Sequence, residues 1–146
     1  MANVHAPLDV MLRNKRTYDS PEPADGQRIL VERLWPRGLK KEALAASWMK
    51  DVAPSTELRR WFGHEIDRWD EFQRRYRAEL DAHPDAWRPI AEASRRGTVT
   101  LLYSAHDVDH NSAVVLRAYL AGTAKRSSAR RPALRRRPVG RAAKRS

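Results

Sequence analysis

Apolar and polar positions along the chain fall into two contrasting periodicities. Two short stretches stand out: the apolar run Ile29–Val31, leading into Glu32, Arg33, Leu34 and Trp35, and the β-branched run Thr98-Val-Thr-Leu-Leu-Tyr103. Runs of this length, bounded by breakers and rich in β-branched side chains, predict buried strands over 28–34 and 98–103. Weaker runs predict further strands over 8–13 and 47–52. From Ile66 the spacing changes to three and four residues, with Trp69, Phe72, Tyr76 and Leu80 on one stripe and Arg, Glu and Gln on the other. That is the signature of an amphipathic helix. A second helix is expected over 84–96, opened by Pro84 and stopped at Gly97, with Trp87, Ile90 and Ala91 inward. Pro89 inside that pattern leaves its start open. Shorter helices are predicted over 40–46 and over 55–63, the latter with Ser55 as N-cap and Gly63 as its terminating glycine. A last helix, capped by Asp109 or a neighbour, should run through Leu120 and end at Gly122. Asp25-Gly26 marks a tight turn before the strand at 28–34.

Alternating strands and helices imply an α/β fold. The expectation is a single three-layer domain over 8–122, with a small, mostly parallel sheet flanked by helices, behind a flexible leader at 1–7.

Charge changes the picture at one end only. The chain has 146 residues, 41% of them hydrophobic, five tryptophans and a formal net charge of +11. Ten of those charges come from Lys125, Arg126, Arg130, Arg131, Arg135, Arg136, Arg137, Arg141, Lys144 and Arg145, in a segment 123–146 without Asp or Glu. Residues 1–122 are therefore almost neutral. The segment also lacks aromatic residues, and a highly charged stretch with so little to bury is expected to be a disordered tail. Its charge run reads as a solvated tail, a nonspecific nucleic-acid arm or an anchor to an anionic partner. Without aromatic side chains to stack on bases, nucleic-acid binding there would be blind to sequence. There is no cysteine, hence no disulfide framework or thiol chemistry. No apolar run approaches the ~20 residues needed to span a bilayer, and no signal-peptide stretch is visible at the N-terminus. A cytoplasmic protein without membrane association is the expectation.

Candidate chemistry gathers after the strands, where open parallel sheets place their ligands. Strand 28–34 delivers Arg33, Trp35 and Arg37. Strand 47–52 delivers Asp51, with Ser55 beyond it. Strand 98–103 delivers Tyr103, Ser104, Asp107, His110 and Asn111 at the start of a helix. Guanidinium groups bind phosphate or carboxylate bidentately, and helix N-termini favour anions. Together these suggest a pocket for an anionic, phosphorylated or nucleotide-like small molecule, with Arg33 and Arg37 holding the anion and Trp35 stacking on it. The structural alternative pairs both arginines with Glu32, Asp51 or helix C-termini. His64, Asp107 and His110 are candidate acid–base groups. His64 could equally cap a helix, and Asp107 or Asp109 could serve as an N-cap. His106 and His110 are four apart, but only a continuous helix would place them on one face, so no metal site is expected. No glycine-rich phosphate loop follows any strand, and no cofactor is expected. Whether the chain is an enzyme is left open.

Three blocks carry a family resemblance. They are Arg16-Thr-Tyr-Asp19 with Asp25-Gly26 and Ile29-Leu-Val-Glu-Arg-Leu-Trp-Pro-Arg-Gly38; Trp48-Met-Lys-Asp-Val-Ala-Pro-Ser-Thr-Glu-Leu-Arg-Arg-Trp-Phe-Gly-His64; and Thr100-Leu-Leu-Tyr-Ser-Ala-His-Asp-Val-Asp-His-Asn111. Together, over about Leu8 to Leu120, the chain resembles the YeaO-like family of small bacterial proteins. The resemblance implies an α/β fold and a cytoplasmic bacterial setting, and carries no agreed activity. His106 stands where relatives are expected to have lysine, and the basic tail is expected to lie beyond the family domain.

Overall fold

Strand Val99–Tyr103, with all five residues buried, is the hydrogen-bonded centre of the molecule. The computed structural model describes residues 11–123. Four strands, β1 (Leu12–Arg16), β2 (Gln27–Leu30), β3 (Ser47–Trp48) and β4 (Val99–Tyr103), form one sheet in the order β1-β4-β2-β3. Every pairing is parallel. Helices α1 (Lys41–Leu44), α2 (Thr56–Phe62), α3 (Trp69–Ala82) and α4 (Pro84–Arg96) precede β4, and α5 (112–123) follows it. The expected α/β architecture is the one observed.

Alternation along the strands separates two faces. Leu12, Ile29, Val31, Val99, Leu101 and Tyr103 meet the apolar faces of α2, α3, α4 and α5 in the main core. Phe72, Tyr76 and Leu80 are the buried stripe of α3, and Trp87, Ile90 and Ala91 that of α4. Trp61 and Trp69 pack against the same core from half-buried positions. On the opposite face Leu30 and Leu102 meet Leu44, under Trp35, Leu39 and Ala46. Segment 35–46 is thus the thin third layer.

That thin side is held by charge. Asp25, with a fully buried side chain, accepts from Lys15 Nζ at 3.0 Å and from Arg28 Nη1 at 2.6 Å. Its carbonyl accepts from Thr100 Oγ1 at 2.7 Å. Arg28 also donates twice to the Leu44 carbonyl, at 3.1 and 2.8 Å, tying α1 to the sheet. The turn that delivers Asp25 needs its glycine. Gly26 has φ +63°, and a Cβ there would lie 2.2 Å from the Thr98 carbonyl oxygen. Gly26→Ala is expected to lower stability by more than the ~1–2 kcal/mol of a left-handed backbone alone. A reduced urea midpoint with unchanged slope checks this.

Several boundaries differ from the sequence expectation, each for a physical reason. The first strand runs over Leu12–Arg16 and so continues past the expected end at Arg13 into the polar Asn14-Lys15-Arg16, where Lys15 pairs with Glu22 and Asp25, while residues 8–10 of the expected strand lie outside the described residues. The strand predicted over 28–34 starts at Gln27 and stops pairing after Val31, whose N–H donates to Leu102 at 3.2 Å. The third strand shortens to Ser47–Trp48, since a 3-10 turn at Lys50–Val52 follows the Met49 N–H bond to the Leu30 carbonyl. A 3-10 turn at Ile66–Arg68 precedes α3, leaving Ile66 exposed. The last helix is capped by Asn111, whose Oδ1 accepts from Val114 N–H at 3.1 Å, and Gly122 lies inside it instead of ending it. The expected leader at 1–7 and the expected disordered tail lie outside the described residues, apart from Thr123. No helix among the described residues is long and apolar enough to cross a membrane.

Candidate functional site

The adjacent strands β2 and β4 end side by side. After β2 the chain passes through Glu32 and Arg33. After β4 it forms the loop 104–111 and enters α5. The C-terminal end of α2 closes a third side with Arg59, Phe62, Gly63 and His64. A cleft of about 630 Å³ opens between these segments.

Local chemistry explains how each wall is set. Ser55 caps α2, its Oγ accepting from Leu58 N–H at 3.1 Å, while Glu79 takes the Ser55 N–H and hydroxyl at 2.9 and 2.6 Å. Gly63 ends α2 in the left-handed region at φ +50°, and His64 follows at φ +60°. Two consecutive left-handed residues reverse the chain and leave His64 exposed on the rim. In loop 104–111 the Asp107 carboxylate accepts from the N–H groups of Asp109 and His110 at 3.0 and 3.1 Å. His110 Nδ1 lies 3.0 Å from Asp107 Oδ2, and the His110 ring stands edge-on to Trp69 at 5.1 Å. The Asp109 N–H, partly opposed by burial and assisted by His110, holds the Asp107 carboxyl below its usual range. Asp107 is therefore ionised and orients His110.

The groups with the most unusual surroundings are Glu32 and Arg59. Burial pushes the Glu32 carboxyl upward, against the Ser104 N–H and the positive charge of Arg59, both of which favour its ionised form. Arg59 Nε is buried and has no hydrogen-bond partner. A buried donor left unmade costs about 1–3 kcal/mol, so this atom is an unmet demand on a side chain that lines the cleft. Glu32 also generates a pH dependence. Its folded value is raised above 4.5, so its stabilising contribution is present below that pH and is lost as pH rises through the folded value. Glu32→Gln is expected to remove that part of the stability–pH slope, read from urea unfolding at a series of pH values.

Of the residues singled out from sequence, Arg33, His64, Ser104, Asp107, His110 and Asn111 all line this one cleft. Arg33 gives Nε and Nη2 to the carbonyls of Pro54 and Ala53, both at 3.1 Å, so much of its capacity fastens the 53–54 segment. Ser104 Oγ lies 3.2 Å from Thr17 Oγ1. Trp35 and Arg37 are placed elsewhere, which corrects the expected wall of Arg33, Trp35 and Arg37. The Trp35 indole donates to the Leu39 carbonyl at 2.6 Å and meets Trp48 edge-on at 5.4 Å, on the thin side of the sheet. Arg37 is exposed, and its carbonyl accepts from Tyr18 OH at 3.0 Å. Tyr103 is a core residue whose phenol is pushed up by burial.

Asp51 and Ser55 line a second cleft of about 610 Å³, beside the junction of α3 and α4. There Ser55 is paired with Glu79, and Tyr76 OH donates to the Val52 carbonyl at 2.5 Å, so its polar groups already serve the fold. Among the described residues no group of three or more His, Cys, Asp or Glu side chains gathers where it could hold a metal. The ten basic residues from Lys125 to Arg145 lie outside the described residues.

Sequence reasoning named Glu32 only as an ion-pair partner and passed over Arg59. The signal for Arg59 was present. Ser55, Leu58, Arg59 and Phe62 follow the i, i+3, i+4, i+7 spacing of an inward helical stripe, so Arg59 is the charged member of a buried face.

Comparison with known proteins places the chain among relatives without assigned activity. A family model described as "Inactive DUF488-N3 subclade" matches residues 11–138, a range that extends into the basic segment. YeaO of Escherichia coli, an uncharacterized protein, is 46% identical over 107 residues, covering 73% of this chain and 93% of the relative. An uncharacterized protein of Mycobacterium bovis is 39% identical over 115 residues, covering 78% of this chain and 97% of the relative. No solved structure matches the chain. With a family model spanning most of its length and relatives at this identity, the chain belongs to the YeaO-like family, within the inactive DUF488-N3 subclade.

Proposed function

We propose that the strand-end cleft binds an anionic small molecule, phosphorylated or nucleotide-like. The observation that carries this reading is the buried, unpartnered Nε of Arg59 in a cleft that Arg33 and Arg60 also line. A guanidinium edge without an acceptor is complementary to a carboxylate or phosphate oxygen. His64 and the Asp107–His110 pair stand in the same cleft as acid–base groups. The family description as inactive argues for holding a ligand rather than converting it. Calorimetric titration with inorganic phosphate and adenosine monophosphate tests the proposal. Saturable binding is expected, with about a tenfold or greater loss in Arg59→Gln, since a hydrogen bond to a charged group is worth about 1.5–3 kcal/mol. Equal affinity in the variant would refute it.

The ten unopposed positive charges beyond residue 123 favour a second reading, in which the basic segment adds nonspecific nucleic-acid affinity. Each phosphate contact would steepen the dependence of affinity on salt by about 0.9 log units per log of salt. Deleting 124–146 should then weaken DNA binding and flatten its salt dependence. Unchanged binding would discard this reading.

A further inference from the structure

The cleft's cationic capacity is small beside its apolar surface. Arg33 has committed Nε and Nη2 to backbone carbonyls. Arg59 is opposed by the Glu32 carboxylate. No lysine lines the cleft, and Asp107 adds a second negative charge to Glu32. Arg60 adds a third guanidinium, so three arginines face the two carboxylates, an excess of one positive charge that matches a single anionic head better than several adjacent charges. Meanwhile Leu34, Pro54, Phe62, Phe72 and Ala105 present apolar surface to the same space. Leu34 is 59% exposed, although nothing in the thin layer requires a leucine there. A volume of about 630 Å³ is far more than a lone phosphate or carboxylate fills, and falls in the ~300–1,000 Å³ range of small-molecule sites.

We infer that the ligand is an amphiphilic anion: one carboxylate or phosphate-monoester head on an apolar ring system, with the head accepting from Arg59 Nε and the ring against Leu34 and Phe62. The inference rests on the anion-site reading above and narrows it. A single head satisfies the orphaned Arg59 donor. The apolar body accounts for the exposed leucine and for the unfilled volume.

The test is calorimetric titration of the full chain, at fixed ionic strength, with acetate, 2-naphthoate, inorganic phosphate, 2-naphthyl phosphate and tripolyphosphate. Each naphthyl acid is expected to bind at least about tenfold more tightly than its bare head group, as burial of a bicyclic ring implies. The two naphthyl arms identify the preferred head. Tripolyphosphate should bind no more tightly than phosphate. Leu34→Ser, a neutral change at an exposed position that leaves the core intact, should weaken the favoured naphthyl ligand at least fivefold and shift phosphate by less than about twofold. Arg59→Lys, which keeps a positive charge opposite Glu32 but removes the Nε donor, should weaken every ligand that binds. If phosphate binds but the naphthyl acids gain nothing, or tripolyphosphate binds tightest, the amphiphile inference fails while the anion site stands. If none of the five binds, both fail together.

Discussion

Asp25→Ala is expected to lower the unfolding free energy by about 3–5 kcal/mol, the range for removing one partner of a buried ion pair. Asp25 has a fully buried side chain, and those of Arg28 and Lys15 are only 6% and 11% exposed, so the two cations would be left without their common acceptor. The Glu22 N–H, which donates to Asp25 Oδ2 at 3.0 Å, would lose its partner as well. Arg28 would still reach the Leu44 carbonyl, so α1 should stay attached while the turn at Pro23–Gly26 loosens. The pH dependence follows from the same contacts. Burial alone would raise the Asp25 carboxyl, but the Glu22 N–H, Lys15 and Arg28 outweigh it and hold the value down to about 2, against an ordinary 3.8. Its contribution is therefore present above 3.8 and is lost as pH falls through about 2. Asp25→Asn keeps the shape and one acceptor, so it should cost less than alanine and abolish that acid limb. Urea unfolding of the three proteins between pH 2 and neutrality, at about unit intervals, reads both effects. Asp25→Ala within about 1 kcal/mol of the parent would mean that the thin face is not held by this network.

The second large effect belongs to Phe72→Ala, also about 3–5 kcal/mol. Phe72 is 2% exposed and stacks on Phe62 at 4.4 Å and on Trp69 at 5.7 Å. Truncation would open a cavity where α2, α3 and the cleft floor meet. Unlike Asp25→Ala, this change should weaken stability and ligand binding together, because Phe62 supports the end of α2 from which Arg59 projects. Phe72→Leu restores most of the volume and should recover most of the stability. Chemical unfolding and phosphate titration of both variants, under folded conditions, check the coupling. A destabilised Phe72→Ala with full ligand affinity would separate the core from the site.

How much of this was legible in the chain depended on the range over which each residue is determined. The α3 stripe was legible because Phe72, Tyr76 and Leu80 repeat within one element and its caps are local. The same holds for Ser55 and Gly63 at the two ends of α2. The C-terminal part of β1 was missed because its polar Lys15 is explained by Glu22 and Asp25, seven and ten residues away. β3 was overextended because Trp48 and Val52 look alike in sequence, although a 3-10 turn sends them into different surroundings. At the site, Arg33 and the loop after β4 were recoverable from the rule that ligands sit at strand ends. Trp35 and Arg37 were not, since beyond the cleft-lining Glu32–Leu34 the chain crosses to the other side of the sheet, where Trp35 packs over Leu30 and Leu102. Arg59 could be found only by asking why a charge occupies an apolar stripe, and Glu32 only by knowing that Ser104 and Arg59 enclose it.

The most direct measurement is the Arg59 Nε–H resonance, followed by heteronuclear NMR as phosphate or 2-naphthoate is added. The account predicts a saturable shift of that resonance, with the same dissociation constant as calorimetry, while Arg28 Nε–H, held by the Leu44 carbonyl, stays still. A motionless Arg59 signal at saturating ligand, or shifts only at exposed arginines that rise linearly with concentration, would contradict it.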